Sequence, residues 1–395
     1  MTGGKKTGKK GFETEEIVRS YFLTAGFFAV RGVKLRHGGD DLTDIDLWLY
    51  ERSATLARRR IVIDIKDNAQ PKAAERLFFI KGLAEIIQVE ATGVATSDGR
   101  PYLRELARRH NVLWIDNGDL QRLKSSQKLA VSSRITDEML EDIISQVDSS
   151  RSSRNIRDAY WGVKSSVADR FGPSCANTAM NSVGYFSKLA VGAHPNSLPA
   201  QVFTRLSYFG AAIAAAALDF ASGETALRPS AERFTNMTNA IRFGQDARGT
   251  EEKLRWAEAA VREYGPNGTG LADVIRSRFN EAINSIPAEG LAEIVVKMAN
   301  SDRLFKAARD LEHAAFSSDL LTFDDLSLEG KTFLGAVLDF TQVDRKLFSQ
   351  SWRSTQIPLT SVSVESSAAT TRQGSETLES TKKLNSSDKN DGKLL

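Results

Sequence analysis

Four charged side chains lie within two short apolar segments and could do chemistry together. Asp44 and Asp46 occur in TDIDLWLY, and Asp64 and Lys66 occur in IVIDIKD. Ionised carboxylates that lie close together repel one another, so several of them in a partly dry cleft require a cation or a proton. Oxygen ligands without His or Cys favour a hard ion such as Mg²⁺, which one or two carboxylates can hold together with water and substrate phosphate. The aspartates therefore predict a magnesium site.

Lys66 follows Asp64 by two residues, so on a strand both side chains point to the same face. There its ammonium group could activate water or stabilise charge on a pentavalent phosphate. The acid-x-Lys pattern alone is not specific, because it recurs at Glu251/Lys253, Glu329/Lys331, Asp344/Lys346 and Asp391/Lys393. Only the copy at 64–66 ends a run of β-branched residues that follows another strand carrying an aspartate.

Hydrophobic periodicity predicts the elements that must position these residues. Apolar residues at helical spacing favour a helix over 13–25 that ends before Gly26. Aromatic and β-branched runs predict strands, and further helical spacing predicts the helices between them. In chain order we expect a strand at 27–33, a polar loop at 37–41, strands at 45–50 and 60–65, a helix at 72–89, a strand at 93–96, a helix at 102–110, a strand at 112–115 and a turn at Asn117-Gly118. The predicted order is αβββαβαβ.

The rest of the chain is predicted to be helical and then disordered. Gly, Pro and Asn separate helical segments between 124 and 350. The apolar run at 208–218 is about half the ~20 residues that span a bilayer, so it is interpreted as a buried Ala-rich helix. The expected organisation is a basic flexible N-terminus at 1–12, an α/β domain at 13–123, an all-α domain at 124–350 and a disordered tail at 351–395.

Composition narrows the classes of protein and site. Lys and Arg number 53 against 50 Asp and Glu in 395 residues, so with a net charge of +3 any basic surface must be local. A single cysteine, Cys175, argues against a disulfide framework or a Cys-based zinc cluster and suits a reducing cytosol. The four histidines are too far apart in sequence for a typical zinc site. No export or membrane-spanning segment is evident, so we expect a cytoplasmic protein.

Residues 11–120 resemble the PD-(D/E)XK nuclease superfamily, and within it the Mrr-type restriction endonucleases and the archaeal-type Holliday junction resolvases. The similarity lies in TEEIVRSYFLTAGFFAV at 14–30, in Asp46 before a hydrophobic strand, in Asp64-x-Lys66, and in GVATSDGRPYLRELARRHNVLWIDNGDL at 93–120. The resemblance implies a restriction-endonuclease-like mixed sheet with flanking helices.

The resemblance also implies roles for individual residues. Asp46 and Asp64 would hold Mg²⁺, which Mn²⁺ can replace, with help from the carbonyl of Ile65, and Lys66 would orient and activate water. The family has an acid at the start of its first helix, which would hold a second ion or a water of the first. The distance to Gly26 favours Glu15 for this role, whereas the Phe12-Glu13 dipeptide leaves Glu13 as the alternative. Asp44 shares a strand face with Asp46 and is a candidate additional ligand.

Basic residues are candidate phosphate contacts, and exposed aromatic residues could stack on bases. Candidate phosphate-binding residues are Lys5, Lys6, Lys9, Lys10, Arg58 and Arg59, with solvated side chains as the alternative. The aromatic residues Trp48, Trp114, Phe78 and Phe79 are interpreted as core instead.

The leading hypothesis is a metal-dependent DNA endonuclease that hydrolyses phosphodiester bonds, acting in bacterial restriction or phage defence. The helical domain would sense, recruit or oligomerise, since it carries no catalytic pattern, and a homodimer or a complex with another protein is expected. One alternative is a catalytically inert nuclease-like module that binds nucleic acid or a partner. A further alternative is a Holliday junction resolvase-like or repair nuclease.

Overall fold

A five-stranded mixed sheet forms the N-terminal part of the protein. In the computed structural model, which describes residues 4–68, 71–149 and 155–353, the strands lie side by side in chain order. They are β1 (Phe28–His37), β2 (Asp40–Arg52), β3 (Arg58–Lys66), β4 (Ala91–Thr96) and β5 (Val112–Ile115). The first three strands pair antiparallel, and β3, β4 and β5 pair parallel. Parallel neighbours require a crossover, and a helix supplies each one.

Four helices flank this sheet. They are α1 (Gly4–Thr24), α2 (Ala73–Ile87), α3 (Pro101–Arg109) and α4 (Asn117–Ser126). Val18 and Phe22 of α1 join Leu120 of α4 and apolar strand residues in one buried core against the sheet. The predicted order αβββαβαβ, and an N-terminal α/β part followed by a helical part, are confirmed.

Two predicted irregular segments have regular structure instead. The loop expected at 37–41 is a tight hairpin turn, because Gly38 and Gly39 both adopt positive φ, 61° and 97°, which allows β1 and β2 to continue up to the turn. The turn expected at Asn117-Gly118 is the start of α4. Asp116 and Asp119 form a capping box there, each carboxylate accepting a bond from the other's backbone N–H.

The N-terminal helix is longer than predicted. α1 begins at Gly4, within the segment expected to be a flexible N-terminus, and no proline interrupts the stretch before the expected start at residue 13. The side chains of the candidate phosphate contacts Lys5, Lys6, Lys9 and Lys10 lie outside the described part of the protein.

Helices make up most of the structure after β5. Beyond α4 these are α5 (Lys128–Ser132), α6 (Asp137–Ser149), α7 (Asn155–Asp169), α8 (Pro173–Gly192), α9 (Leu198–Ser222), α10 (Ser230–Phe243), α11 (Ala247–Tyr264), α12 (Gly268–Asn284), α13 (Ala288–Ala299), α14 (Arg303–Phe316), α15 (Leu328–Phe340) and α16 (Arg345–Ser351). The stretch Leu198–Thr225 has the length and composition to cross a membrane, but 83% of its most apolar window is buried inside the protein. This agrees with the buried Ala-rich helix predicted there.

The sheet and the helical part share a buried contact at one end of β2 and β3. The ring of Trp48 lies 4.5 Å from that of Phe171, measured between centroids. Asp219 of α9 accepts hydrogen bonds from the Tyr50 hydroxyl at 2.6 Å and from Arg52 at 2.6 Å. The predicted division near residue 123 is thus a change in secondary structure within one compact unit.

Arg58 joins this contact, so its predicted role as a phosphate contact is wrong. Its side chain is only 4% exposed, and its Nε donates to Asp219 at 3.3 Å. A guanidinium group committed to a buried carboxylate cannot reach a phosphate in solvent. Arg59 is exposed and forms an ion pair with Glu51.

A second buried ionic cluster connects α1 and β1 to α6 and α7. Asp137 accepts hydrogen bonds from Arg19 at 2.8 Å, from Lys164 at 2.6 Å and from Arg31 at 3.3 Å. The hydroxyl of Tyr160 also donates a hydrogen bond to the Asp137 carboxylate, at 3.2 Å. Buried charges persist only when they are paired in this way.

The ordered chain extends past the expected start of the tail. Trp352 is buried, and its indole N–H donates to the carbonyl of Leu320 at 3.0 Å. Trp352 therefore belongs to the described helical part, although the predicted tail begins at residue 351. Residues 354–395, which contain the rest of the predicted tail, lie outside the described residues.

Candidate active site

Asp46, Asp64 and Lys66 come together where β2 and β3 separate. The antiparallel register of these strands ends at the pair Leu47–Ile63, and the two aspartates are the next residues on each strand. Lys66 Nζ lies 3.1 Å from Asp46 Oδ2 and 3.9 Å from Asp64 Oδ1, so both carboxylates face one ammonium group. The three residues converge as the sequence predicts.

Asp46 also fixes the end of the neighbouring strand. Its Oδ2 accepts a hydrogen bond of 2.6 Å from the backbone N–H of Ile65. Burial raises the pKa of Asp46, and the charge of Asp64 raises it further, while Lys66 and the Ile65 N–H act in the opposite direction. The net increase means that the surrounding positive charge does not fully compensate this carboxylate.

Glu15 of α1 lies in the same electrostatic environment. Burial and the charge of Asp46 raise the pKa of Glu15 to about 7, against the opposing charges of Arg31 and Lys66. Arg31 Nη1 is 3.3 Å from its carboxylate. Glu13 is exposed to solvent. Of the two acids that the sequence left open, Glu15 is the one whose charge interacts with that of Asp46.

Asp44 does not join this group in the described structure. It lies opposite Lys34 in the hairpin formed by β1 and β2, and it is exposed. Among the described contacts, none connects its carboxylate to Asp46, Asp64 or Lys66. Sharing a strand face with Asp46 is not enough, because successive same-face residues are about 7 Å apart along a strand.

Arg76 was not predicted, yet it makes the closest contacts with Asp64. Its Nε donates to Asp64 Oδ2 at 2.7 Å, and its Nη2 donates to Oδ1 of the same carboxylate. The guanidinium group stacks over the ring of Phe79 at 4.1 Å. Phe78 is 73% exposed, so the expectation that both phenylalanines are core residues is wrong for Phe78, which is on the solvent side of α2.

The donor set matches Mg²⁺ better than it matches a transition metal. Within residues 4–68, 71–149 and 155–353, no three His, Cys, Asp or Glu side chains are grouped closely enough to hold a metal ion. A zinc site needs three or four such ligands, whereas Mg²⁺ is commonly held by one or two carboxylates, with water and phosphate completing its shell. Asp46 and Asp64 provide two carboxylates near one another, which fits that requirement if Arg76 moves away from Asp64.

An open polar cavity of about 750 Å³ includes Asp67, the residue after Lys66, in its wall, whereas Asp46 and Asp64 are not among its lining residues. It lies where β3, β4 and β5 end, and its wall includes Asp67, Lys72, Ser97, Arg100, Asn117 and Gln121. The carboxyl ends of parallel strands are the usual position of ligand sites in open α/β sheets. Lys124 lies 2.7 Å from Asp67 and therefore offsets its charge. The cavity suits a polar, charged ligand.

No protein family model, no characterised protein and no solved structure to which the chain was compared matches it.

Proposed function

We propose that the protein is a metal-dependent DNA endonuclease of the PD-(D/E)XK type. The observation that carries this proposal is the meeting of Asp46 and Asp64 around the ammonium group of Lys66. Phosphodiester hydrolysis requires neutralised charge and positioned water more than covalent chemistry. The order of helices and strands and the mixed sheet agree with a restriction-endonuclease-like fold.

In this proposal Asp46 and Asp64 hold Mg²⁺, which supplies charge neutralisation and an activated water when bound. Lys66 places a second positive charge beside the scissile phosphate and orients the water. Glu15, whose pKa is raised to about 7 by burial and by the charge of Asp46, is proposed to exchange a proton near neutral pH.

DNA is the proposed substrate because the cavity wall is polar and carries two cations, Lys72 and Arg100, of which Arg100 also pairs with Asp98 of the same wall. Lys72 and Arg100 can contact phosphates, while Asn117 and Gln121 can hydrogen-bond sugars or base edges. Lys72 and Arg100 are therefore the proposed phosphate contacts in place of Arg58. The helical part is proposed to control when cleavage occurs, as in restriction or phage-defence nucleases, and cutting both strands favours a dimer.

Cleavage of supercoiled plasmid tests this function. The wild-type protein is expected to nick or linearise the plasmid with Mg²⁺ or Mn²⁺ and to lose this activity in excess EDTA. Lys66→Ala and Asp46→Asn are expected to reduce the rate by about 100-fold or more. Lys253→Ala is the matched control, because Lys253 also belongs to an acid-x-Lys pattern but its side chain is 79% exposed on α11.

The proposal fails if the folded Lys66→Ala variant cleaves as fast as the wild type, or if EDTA leaves cleavage unchanged. Circular dichroism of each variant separates loss of chemistry from loss of fold. Single-stranded DNA and RNA, tested in the same buffers, define the substrate class.

A second candidate is an inert nuclease-like module that binds nucleic acid without cutting it. The ion pair between Arg76 and Asp64 favours this alternative, because it gives Asp64 a partner that needs no metal. A gel shift in EDTA that persists while every cleavage assay is negative would support binding alone. Cleavage that depends on Lys66 would exclude it.

A further inference from the structure

Asp64 needs a cation whether or not a metal is bound. Its side chain is only 4% exposed, and an unpaired buried carboxylate is costly. Lys66 lies 3.9 Å from it but is closer to Asp46, at 3.1 Å. Arg76 therefore supplies most of the neutralising charge, through two parallel hydrogen bonds to the same carboxylate.

The surroundings of Arg76 allow its guanidinium group to move away from Asp64. Its side chain is 25% exposed, and its guanidinium group makes no other described hydrogen bond. It lies in the first turn of α2, after Lys72, which has a left-handed backbone with φ of 46° and provides no side-chain cap. The ring of Phe79 supports the guanidinium face and can continue to hold it after Asp64 is released.

From this geometry we infer that Arg76 is an exchangeable counter-ion, which occupies Asp64 in the metal-free protein and is displaced when a divalent cation binds. The inference rests on the proposed metal site. Both cations compete for the same two oxygens, so Arg76 weakens metal binding and couples it to a movement at the start of α2.

Mn²⁺ binding to the full-length protein, measured without nucleic acid, tests the inference. Free Mn²⁺ is quantified by electron paramagnetic resonance during titration of wild type, Arg76→Ala, Arg76→Lys and Asp64→Asn. Arg76→Ala is expected to bind Mn²⁺ about 10- to 100-fold more tightly, the range set by losing a charged hydrogen-bonded competitor. Arg76→Lys is expected to fall between wild type and Arg76→Ala, since an ammonium group cannot form both parallel bonds.

Two controls assign the effect to Asp64. Arg104→Ala removes another arginine that pairs with an aspartate, Asp116, but is more exposed, at 57%, and it is expected to leave Mn²⁺ affinity unchanged. Asp64→Asn is expected to bind Mn²⁺ much more weakly than wild type. A merely structural role for Arg76 would lower thermal stability without tightening metal binding.

Equal affinity in wild type and Arg76→Ala, or weaker binding in Arg76→Ala, would overturn the inference and leave the cleavage assay to decide the function. Absence of Mn²⁺ binding in all variants, including Arg76→Ala, would overturn both the inference and the metal-dependent part of the proposed function.

Discussion

Replacing Asp137 with Asn is expected to lower the free energy of unfolding by about 3–5 kcal/mol. The carboxylate lies between Arg19, Arg31 and Lys164, whose side chains are at most 2% exposed. Asn keeps the shape of the side chain but removes the charge that these three cations share. In the variant, Glu16 and Glu138 still contact Arg31. The loss of stability is therefore expected to match the breaking of one buried ion pair and not the sum of three.

The pH dependence of this contribution has a definite sign. Burial opposes the ionisation of Asp137, but Lys164, Arg19 and Arg31 outweigh it and hold its pKa well below the usual range. A carboxylate with a depressed folded-state pKa stabilises the protein above its unfolded pKa of about 4, and this stabilisation declines as the pH falls below that value. The stability difference between wild type and Asp137→Asn should therefore be constant near neutral pH and shrink in acid.

Urea denaturation followed by circular dichroism measures both effects, at pH 7, 4 and 3. The control is Asp142→Asn on the same helix, because Asp142 is exposed. A difference between wild type and Asp137→Asn below about 1 kcal/mol at pH 7, or a difference that grows in acid, would refute the assigned role of Asp137.

Three further predictions use the same denaturation assay. Asp219→Asn leaves two buried arginines without their carboxylate and should cost about 3–5 kcal/mol. Arg58→Ala should destabilise by about 1–3 kcal/mol, while Arg59→Ala, which removes an exposed guanidinium group, should stay within about 0.5 kcal/mol of wild type; equal effects would contradict the buried role of Arg58. Gly184→Val places a Cβ 2.9 Å from that of Thr341 and should lower the free energy of unfolding by about 1–3 kcal/mol. An unchanged urea midpoint would show that α8 and the end of α15 can separate without a loss of stability.

The convergence of Asp46, Asp64 and Lys66 could be predicted because it depends on short-range rules. Alternation along a strand puts Asp64 and Lys66 on one face, and a short connection makes the previous strand an antiparallel neighbour. Arg76 could not be predicted in this way. Its position depends on how the chain turns between β3 and α2, and no pattern in those residues fixes that path.

Burial also separates residues that look alike in sequence. Arg58 and Arg59 are consecutive, but alternation along β3 turns one toward Asp219 of a distant helix and the other toward solvent. Only the position of α9 decides which arginine is buried. Hairpin geometry was missed for a different reason, since Gly38-Gly39 is a favoured two-residue turn whose flanking residues are polar rather than strand-like.

The contact of Asp219 with the sheet has a consequence for biosynthesis. Arg52 and Arg58 precede it by 167 and 161 residues. At about 5–20 residues per second, translation needs roughly 10–30 seconds to add the carboxylate after these arginines emerge. During that interval the nascent sheet carries two cations without their partner, so its final docking must wait until the ribosome has delivered the helix that bears Asp219.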